Sequence, residues 1–196
     1  MATPRSLDPG LTERIRAATL ALLAERGFRD LRLDDVAARV GTSKQALYRR
    51  FSSKSEIVAD AVRSLSAPPY ANPPRTGSLR RDLVAVLGAA IRNLERTALG
   101  PAMRALVAEE HDEVLARALA DVEASRRRVL RTVLEAARER REIDAARDIE
   151  LDVDLLLGAA YARTLVRRIA LERGSAERIV DAWLHGAAPV APQRRA

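Results

Sequence analysis

Apolar residues recur every three or four positions along most of the chain, the period of an amphipathic α-helix. Ile15, Ala18, Leu22 and Leu23 predict a first helix, opened by Thr12 as N-cap and closed by Arg26 and Gly27, with Phe28 placed for a C-terminal capping contact. Leu33, Val36, Ala37 and Val40 predict a short second helix ending at Gly41, with Asp34 and Asp35 in its first turn, where the helix dipole favours negative charge. A third, shorter still, lies in VGTSKQALYRRFSSK, residues 40–54. Begun at Lys44, it turns Leu47 and Phe51 inward with Ala46 beside them and leaves Lys44, Gln45, Tyr48 and Arg49 facing out. Thr42 or Ser43 caps it, and Thr42 with Gln45 has the capping-box spacing. Ser53 with Glu56 fits that box better and opens a fourth helix, its inner face Ile57, Val58, Ala61, Val62 and Leu65.

The pattern stops at SAPPYANPPRTG, residues 66–77, where four prolines remove backbone donors and restrict the residues before them. This stretch reads as a linker, dividing a head at 11–66 from a body at 78–188, with 67–77 between them and a frayed tail at 189–196. In the body, Ser78 caps a helix carrying Leu79, Leu83, Val86, Leu87, Ala90, Ile91 and Leu94. A short helix is expected at 101–110 and a long one at 112–141, with Leu115, Leu119, Val122, Val129, Leu130, Val133 and Leu134 on one stripe and the run Arg126 to Arg128 on a solvated face. Residues 149–172 predict a helix that is apolar all round through LLLGAAYA, so it needs cover on more than one side, and a second subunit is the candidate for that cover. Gly174 and Ser175 mark the turn to a final helix with Ile179, Val180, Trp183 and Leu184 on its apolar face; Gly158, Ala159, Ala160, Gly186 and Ala187 are small enough for close helix approach.

Composition agrees with an all-α fold: 47% of residues are hydrophobic and only 3% aromatic, so the core must be built from Ala, Leu, Val and Ile. The formal net charge of +7 points toward an anionic partner without saying which. No cysteine is present, which excludes disulfides, thiolate metal sites and cysteine nucleophiles. Uninterrupted apolar runs such as Leu155 to Ala162 are too short to span a bilayer, and the first residues carry no apolar leader; a soluble, cytoplasmic protein with no membrane partner is expected.

An apolar helix, a glycine, a hydroxyl cap and a short basic helix together make a helix-turn-helix, in which the second helix enters the major groove. Gln45 can pair two ways with adenine and Arg49 with guanine, while Lys44 and the Tyr48 hydroxyl suit phosphates. Thr42, Ser43 and the free N–H groups at the helix starts offer further phosphate contacts, and Lys54 adds charge where the fourth helix begins.

The segment LDDVAARVGTSKQALYRRFSSKSEIVADAV resembles the DNA-binding part of the tetracycline-repressor (TetR) family of bacterial transcription regulators. The order of the Gly, the capped short helix, the Leu-Tyr pair, the Phe and the Ser-Lys matches across residues 11–66; the remainder resembles the family only in layout. The resemblance implies an N-terminal three-helix head plus a C-terminal helical regulatory and dimerisation bundle, with Thr42, Ser43, Lys44, Gln45, Tyr48, Arg49 and Arg50 at the DNA and Tyr48 and Lys54 clamping phosphates. It also implies a palindromic double-stranded operator, a small-molecule effector and a homodimer formed through the last two helices. The sequence departs from the family at Leu31 and Arg32, where a Thr pair commonly caps the second helix; Arg32 either reaches a phosphate or leaves that helix start weaker.

Other chemistry is thinly represented. His111, beside Asp112 and Glu113, and His185 have no companion ligands in sequence, and neither has a triad context, so no metal, cofactor or enzyme activity is expected. Tyr70, Met103, Tyr161 and Trp183 are candidates for an effector cavity, with core or dimer packing as their simpler role. The rival reading is a DNA-compacting helical protein without sequence preference, which the net positive charge also allows.

Overall fold

The computed structural model describes residues 9–65, 73–107, 109 and 111–186, and every regular element among them is helical. Four helices form the head: α1 (Pro9–Asp30), α2 (Leu33–Val40), α3 (Lys44–Tyr48) and α4 (Lys54–Ser64). Five form the body: α5 (Leu79–Arg96), α6 (Leu99–Val107), α7 (Glu113–Glu139), α8 (Ile149–Tyr161) and α9 (Ser175–His185).

Local chemistry accounts for most of the boundaries. α1 begins at Pro9 rather than after Thr12, because proline suits a first turn, whose N–H groups have no partner inside the helix. It breaks at Gly27, where φ is 76° and ψ 177°. α2 ends at Gly41 in the left-handed region (φ 72°), where its N–H reaches back to Ala38 O and the next residue's N–H to Ala37 O. Ser53, Ser78, Asp112 and Asp148 cap α4, α5, α7 and α8 by accepting from N–H groups of the first turn. Glu56 closes the box at α4 from one residue further out than expected, accepting from the N–H of Ser52 at 2.7 Å.

Two predicted helices are displaced. α6 starts at Leu99, with Thr97 Oγ1 accepting from the Leu99 N–H at 3.1 Å, so Pro101 falls in its first turn. The helix expected over 149–172 stops at Tyr161 and continues only as a π-helical turn, Ala162–Val166, after which Arg168 takes a positive φ of 54°. The carboxylate of Glu95 on α5 accepts from the N–H of Leu171 at 3.1 Å, and this partner, 76 residues away, helps to hold the chain out of helical register. Tyr70, Ala187 and the tail at 189–196 lie outside the described residues, as does most of the expected linker.

The apolar residues condense into two cores. The first joins the head to the body: Ile15, Leu22, Leu47, Val58 and Val62 share it with Leu99, Met103, Leu106, Leu115 and Val122 of α6 and α7. The second holds α5, the C-terminal half of α7, α8 and α9 together through residues such as Leu83, Leu87, Leu134, Val153 and Val180. Each large aliphatic side chain buried this way contributes about 1.5–3 kcal/mol of transfer free energy. α7 therefore lies in both cores. Among the described residues no helix is long and apolar enough to cross a membrane.

Candidate nucleic-acid interface

The outer face of the head is organised by α2, the turn at Gly41 and α3. Ser43, not Thr42, caps α3: its Oγ accepts from the Ala46 N–H at 3.2 Å, while the backbone N–H of Thr42 is used to end α2. Leu47 is fully buried and Ala46 nearly so, which seats α3 against α2 and leaves Lys44, Gln45, Tyr48 and Arg49 exposed. Tyr48 is half exposed, with its ring on the same outer side.

The cations on this face are not equivalent. Lys44 Nζ lies 3.0 Å from an Asp34 carboxylate oxygen, and that hydrogen bond holds its pKa above the ordinary lysine value. Arg49 carries no such partner among the described residues. Arg50 is half-buried, with Nη1 donating to Ala46 O at 3.4 Å and Nε enclosed without a protein acceptor. Arg32 is exposed and stands before α2 without a side-chain capping bond, so that helix start relies on Asp34 and Asp35 and the dipole.

Lys54 differs most from the expectation of a phosphate clamp. Its ammonium donates to the carbonyls of Phe28 at 2.8 Å and of Arg29 and Leu31 at 3.3 Å, and sits 4.2 Å from the Phe28 ring centroid. An ammonium has three N–H donors, and three carbonyls occupy them. The bend at Gly27 turns those carbonyls toward the start of α4, so Lys54 closes the end of α1 instead of pointing outward.

Ion pairs brace the face from behind. Arg39 makes a two-pronged bond to Glu25 at 2.9 and 3.0 Å, Arg26 meets Asp35 at 2.6 Å, and Arg16 grips Asp60 at 2.8 and 3.1 Å, tying α1 to α2 and α4. The head is also tied to the body by Ser55 Oγ, which donates to the Asp112 carboxylate, and by Arg63 with Asp121 at 2.7 Å. Among the described residues no group of three or more His, Asp or Glu is placed to hold a metal ion.

The arginine run on α7, expected to be solvated, splits three ways. Arg126 is 8% exposed and points inward, Arg127 is clasped by Glu123, Glu150 and Asp154, and only Arg128 is exposed. Arg126 stands four residues from both Val122 and Leu130 on the apolar stripe, a spacing that marks it as inward-facing.

A short helix presented outward from an apolar helix and a glycine turn, basic and backed by a core, defines a helix-turn-helix regulator, and sequence comparison gives the family. Residues 15–61 match the model of the bacterial regulatory proteins of the tetR family, and residues 73–183 match the tetracyclin repressor-like C-terminal domain. The chain therefore belongs to the TetR family of transcriptional regulators. It is 31% identical over 187 residues to the HTH-type transcriptional regulator Rv1556 of Mycobacterium tuberculosis, covering 91% of this chain and 87% of that one. It is 35% identical over 105 residues to the DNA-binding transcriptional repressor TetR of Mycobacteroides abscessus, covering 53% and 54% of the two chains. Among solved structures it resembles the TetR family regulator SCO0332 at 29% identity (TM-score 0.65, 91% of this chain and 99% of that one). It shares the fold of the regulator FadR from Bacillus subtilis at 14% identity (TM-score 0.77, 90% and 99%).

Proposed function

We propose that this regulator is a homodimeric repressor that reads a palindromic operator with α3 and leaves it when a small molecule binds the body. The observation that carries the reading is the exposed set Gln45, Tyr48 and Arg49 on a helix whose opposite side, Ala46 and Leu47, is buried. Gln45 and Arg49 suit base edges, whereas Lys44, Tyr48, Thr42, Ser43, Arg32 and Arg50 suit phosphates. Lys54 acts within the head by holding the end of α1.

The dimer reading is supported by α8 and α9. Leu151 and Leu155 are each 54% exposed, and an apolar groove of about 590 Å³ between the two helices is lined by Leu155, Ala159, Ile179, Ala182 and Trp183. Covering such a face with a second copy removes it from water and carries two heads at once. For both to enter successive major grooves on one side of the duplex, their α3 helices must stand about 34–36 Å apart. The effector reading draws support from the B. subtilis FadR structure, which was solved in complex with stearoyl-CoA on the same fold.

Selection of bound fragments from random duplex DNA tests the proposal. A palindromic consensus bound at least a hundredfold more tightly than random duplex is expected; equal affinity for all duplexes would favour a compacting protein instead.

A further inference from the structure

Arg126 stands out in the body. It is more than nine-tenths buried, yet its guanidinium meets only neutral groups there: Nη1 lies 3.2 Å from the Met103 sulfur, a weak acceptor, and the Tyr161 hydroxyl is its polar neighbour. Among the described residues no carboxylate pairs with it, whereas the adjoining Arg127 has three acidic partners and Arg131 meets Glu150 at 2.5 Å. A buried cation without a counter-charge opposes folding, and proteins rarely retain one without a use for it.

Tyr161 stands beside it. Its hydroxyl is enclosed, and its polar neighbour is the Arg126 guanidinium, with no well-formed hydrogen bond to any other group among the described residues. Burial pushes its pKa above the ordinary phenol value, and the nearby charge of Arg126 is the largest influence in the other direction. Directly after Tyr161, α8 gives way to the π-helical turn Ala162–Val166, a widened backbone form found frequently at functional sites. Around the two polar groups the core is apolar: Met103 and Val122 are buried in it and Leu119 and Leu165 pack against it.

We propose that Arg126 and Tyr161 are the recognition point for an effector carrying one carboxylate on an apolar body, bound where α6, α7 and the end of α8 meet. This assignment rests on the ligand-responsive reading given above and names the class of ligand. A guanidinium presents two parallel N–H groups that match the two oxygens of a carboxylate, and the Tyr161 O–H can donate a third bond. One cation balances one negative charge; a dianion would leave a charge uncompensated in the same apolar surroundings. Asp121, which holds Arg63 of α4, lies five residues from Arg126 on α7. A ligand that repositions α7 there acts directly on α4 of the head.

The test is calorimetric titration of the full-length protein with decanoate, 1-decanol and decylamine below their aggregation limits, repeated for Arg126→Met, Arg126→Lys and Tyr161→Phe. Decanoate is expected to bind the native protein at least tenfold more tightly than either neutral or cationic probe. That preference should vanish in Arg126→Met, fall but persist in Arg126→Lys, and fall about fivefold in Tyr161→Phe. The ligand-free Arg126→Met protein should melt no lower than the native one, because removing an unpaired buried charge relieves the core; a lower Tm would mark Arg126 as a structural residue and overturn the assignment. Equal binding of the three probes, no binding of decanoate, or an undiminished preference in Arg126→Met would also overturn it. The selected operator is titrated in the same samples. An operator complex that forms normally and is indifferent to bound decanoate overturns only the effector role of this site, whereas failure to select any operator overturns the repressor reading itself and the effector role with it.

Discussion

The ammonium of Lys54 lies 2.8 Å from the carbonyl oxygen of Phe28 and 4.2 Å from the centroid of the same residue's ring. One cation thus satisfies the end of α1 and stacks on the aromatic side chain that follows the bend at Gly27. Replacing Lys54 by alanine removes a cation–π contact and charge-assisted bonds to three carbonyls, a loss of ~1–3 kcal/mol at a partly buried site. The expected result is a lower urea midpoint with an unchanged m-value. In DNA titrations the log K against log salt slope should stay where it was, because this ammonium releases no counterion from phosphate; a slope reduced by about 0.9 per subunit would instead place Lys54 on the backbone.

Two hydroxyls precede α3, and only one caps it. Ser43→Ala should cost ~1 kcal/mol of stability, the usual loss for an N-cap hydroxyl, whereas Thr42→Ala should cost a few tenths, since its backbone and not its side chain ends α2. Parallel urea titrations check the pair; equal losses would contradict the assignment of the cap.

Arg49 and Lys44 should separate in DNA binding. Arg49→Ala is expected to relax base preference at one position per half-site by ~1–3 kcal/mol, visible as a degenerate column when selection is repeated with the variant. Asp34→Asn should raise affinity for all duplexes by no more than a few-fold, because it frees Lys44 from an exposed, solvent-screened ion pair. Uniform weakening by Arg49→Ala, or sequence-selective effects of Asp34→Asn, would exchange their roles.

Asp152 links the pH response to α8 and α9. It is almost wholly buried, and Arg147 donates to it at 2.9 and 2.5 Å and Trp183 Nε1 at 2.9 Å. Burial alone would raise its pKa, but these bonds outweigh it and leave the carboxyl below its ordinary value. A carboxyl that binds protons less readily when folded stabilises the fold above its unfolded pKa of about 3.9 and loses that contribution as pH falls further. Glu150, held at about 2 by Arg131 and Arg127, acts in the same window. Asp152→Asn should therefore flatten the fall in Tm below about pH 4, and Glu150→Gln flatten it separately. At neutral pH Asp152→Ala should cost ~2 kcal/mol by stranding the indole N–H and the guanidinium. A melting curve for Asp152→Asn that still falls as steeply in acid would show that the group does not govern it.

The head was the more legible half. Its second helix is closed by a glycine, its third and fourth are opened by serines, and the inward side of α3 follows from the position of Leu47. The carbonyl partners of Lys54 could not be read from the sequence, because they belong to residues 23 to 26 positions earlier and are exposed to it by a bend that periodicity does not reveal. Arg126 was misplaced because a triplet of arginines reads as a solvated patch, although its distance of four residues from Val122 and Leu130 was the available signal.

By itself the sequence determined the helical character of the chain, the turn at Gly41, the caps at Ser53 and Ser78, and the regulator family, because each of these depends on residues within a turn or two of one another. Tertiary structure alone decided that Glu95 would hold the chain at Leu171, that three carbonyls would occupy Lys54, and that α7 would join both cores while carrying a cation inside. Such outcomes depend on which distant groups compete for the same donors and the same apolar space, and that competition exists only once the helices have packed.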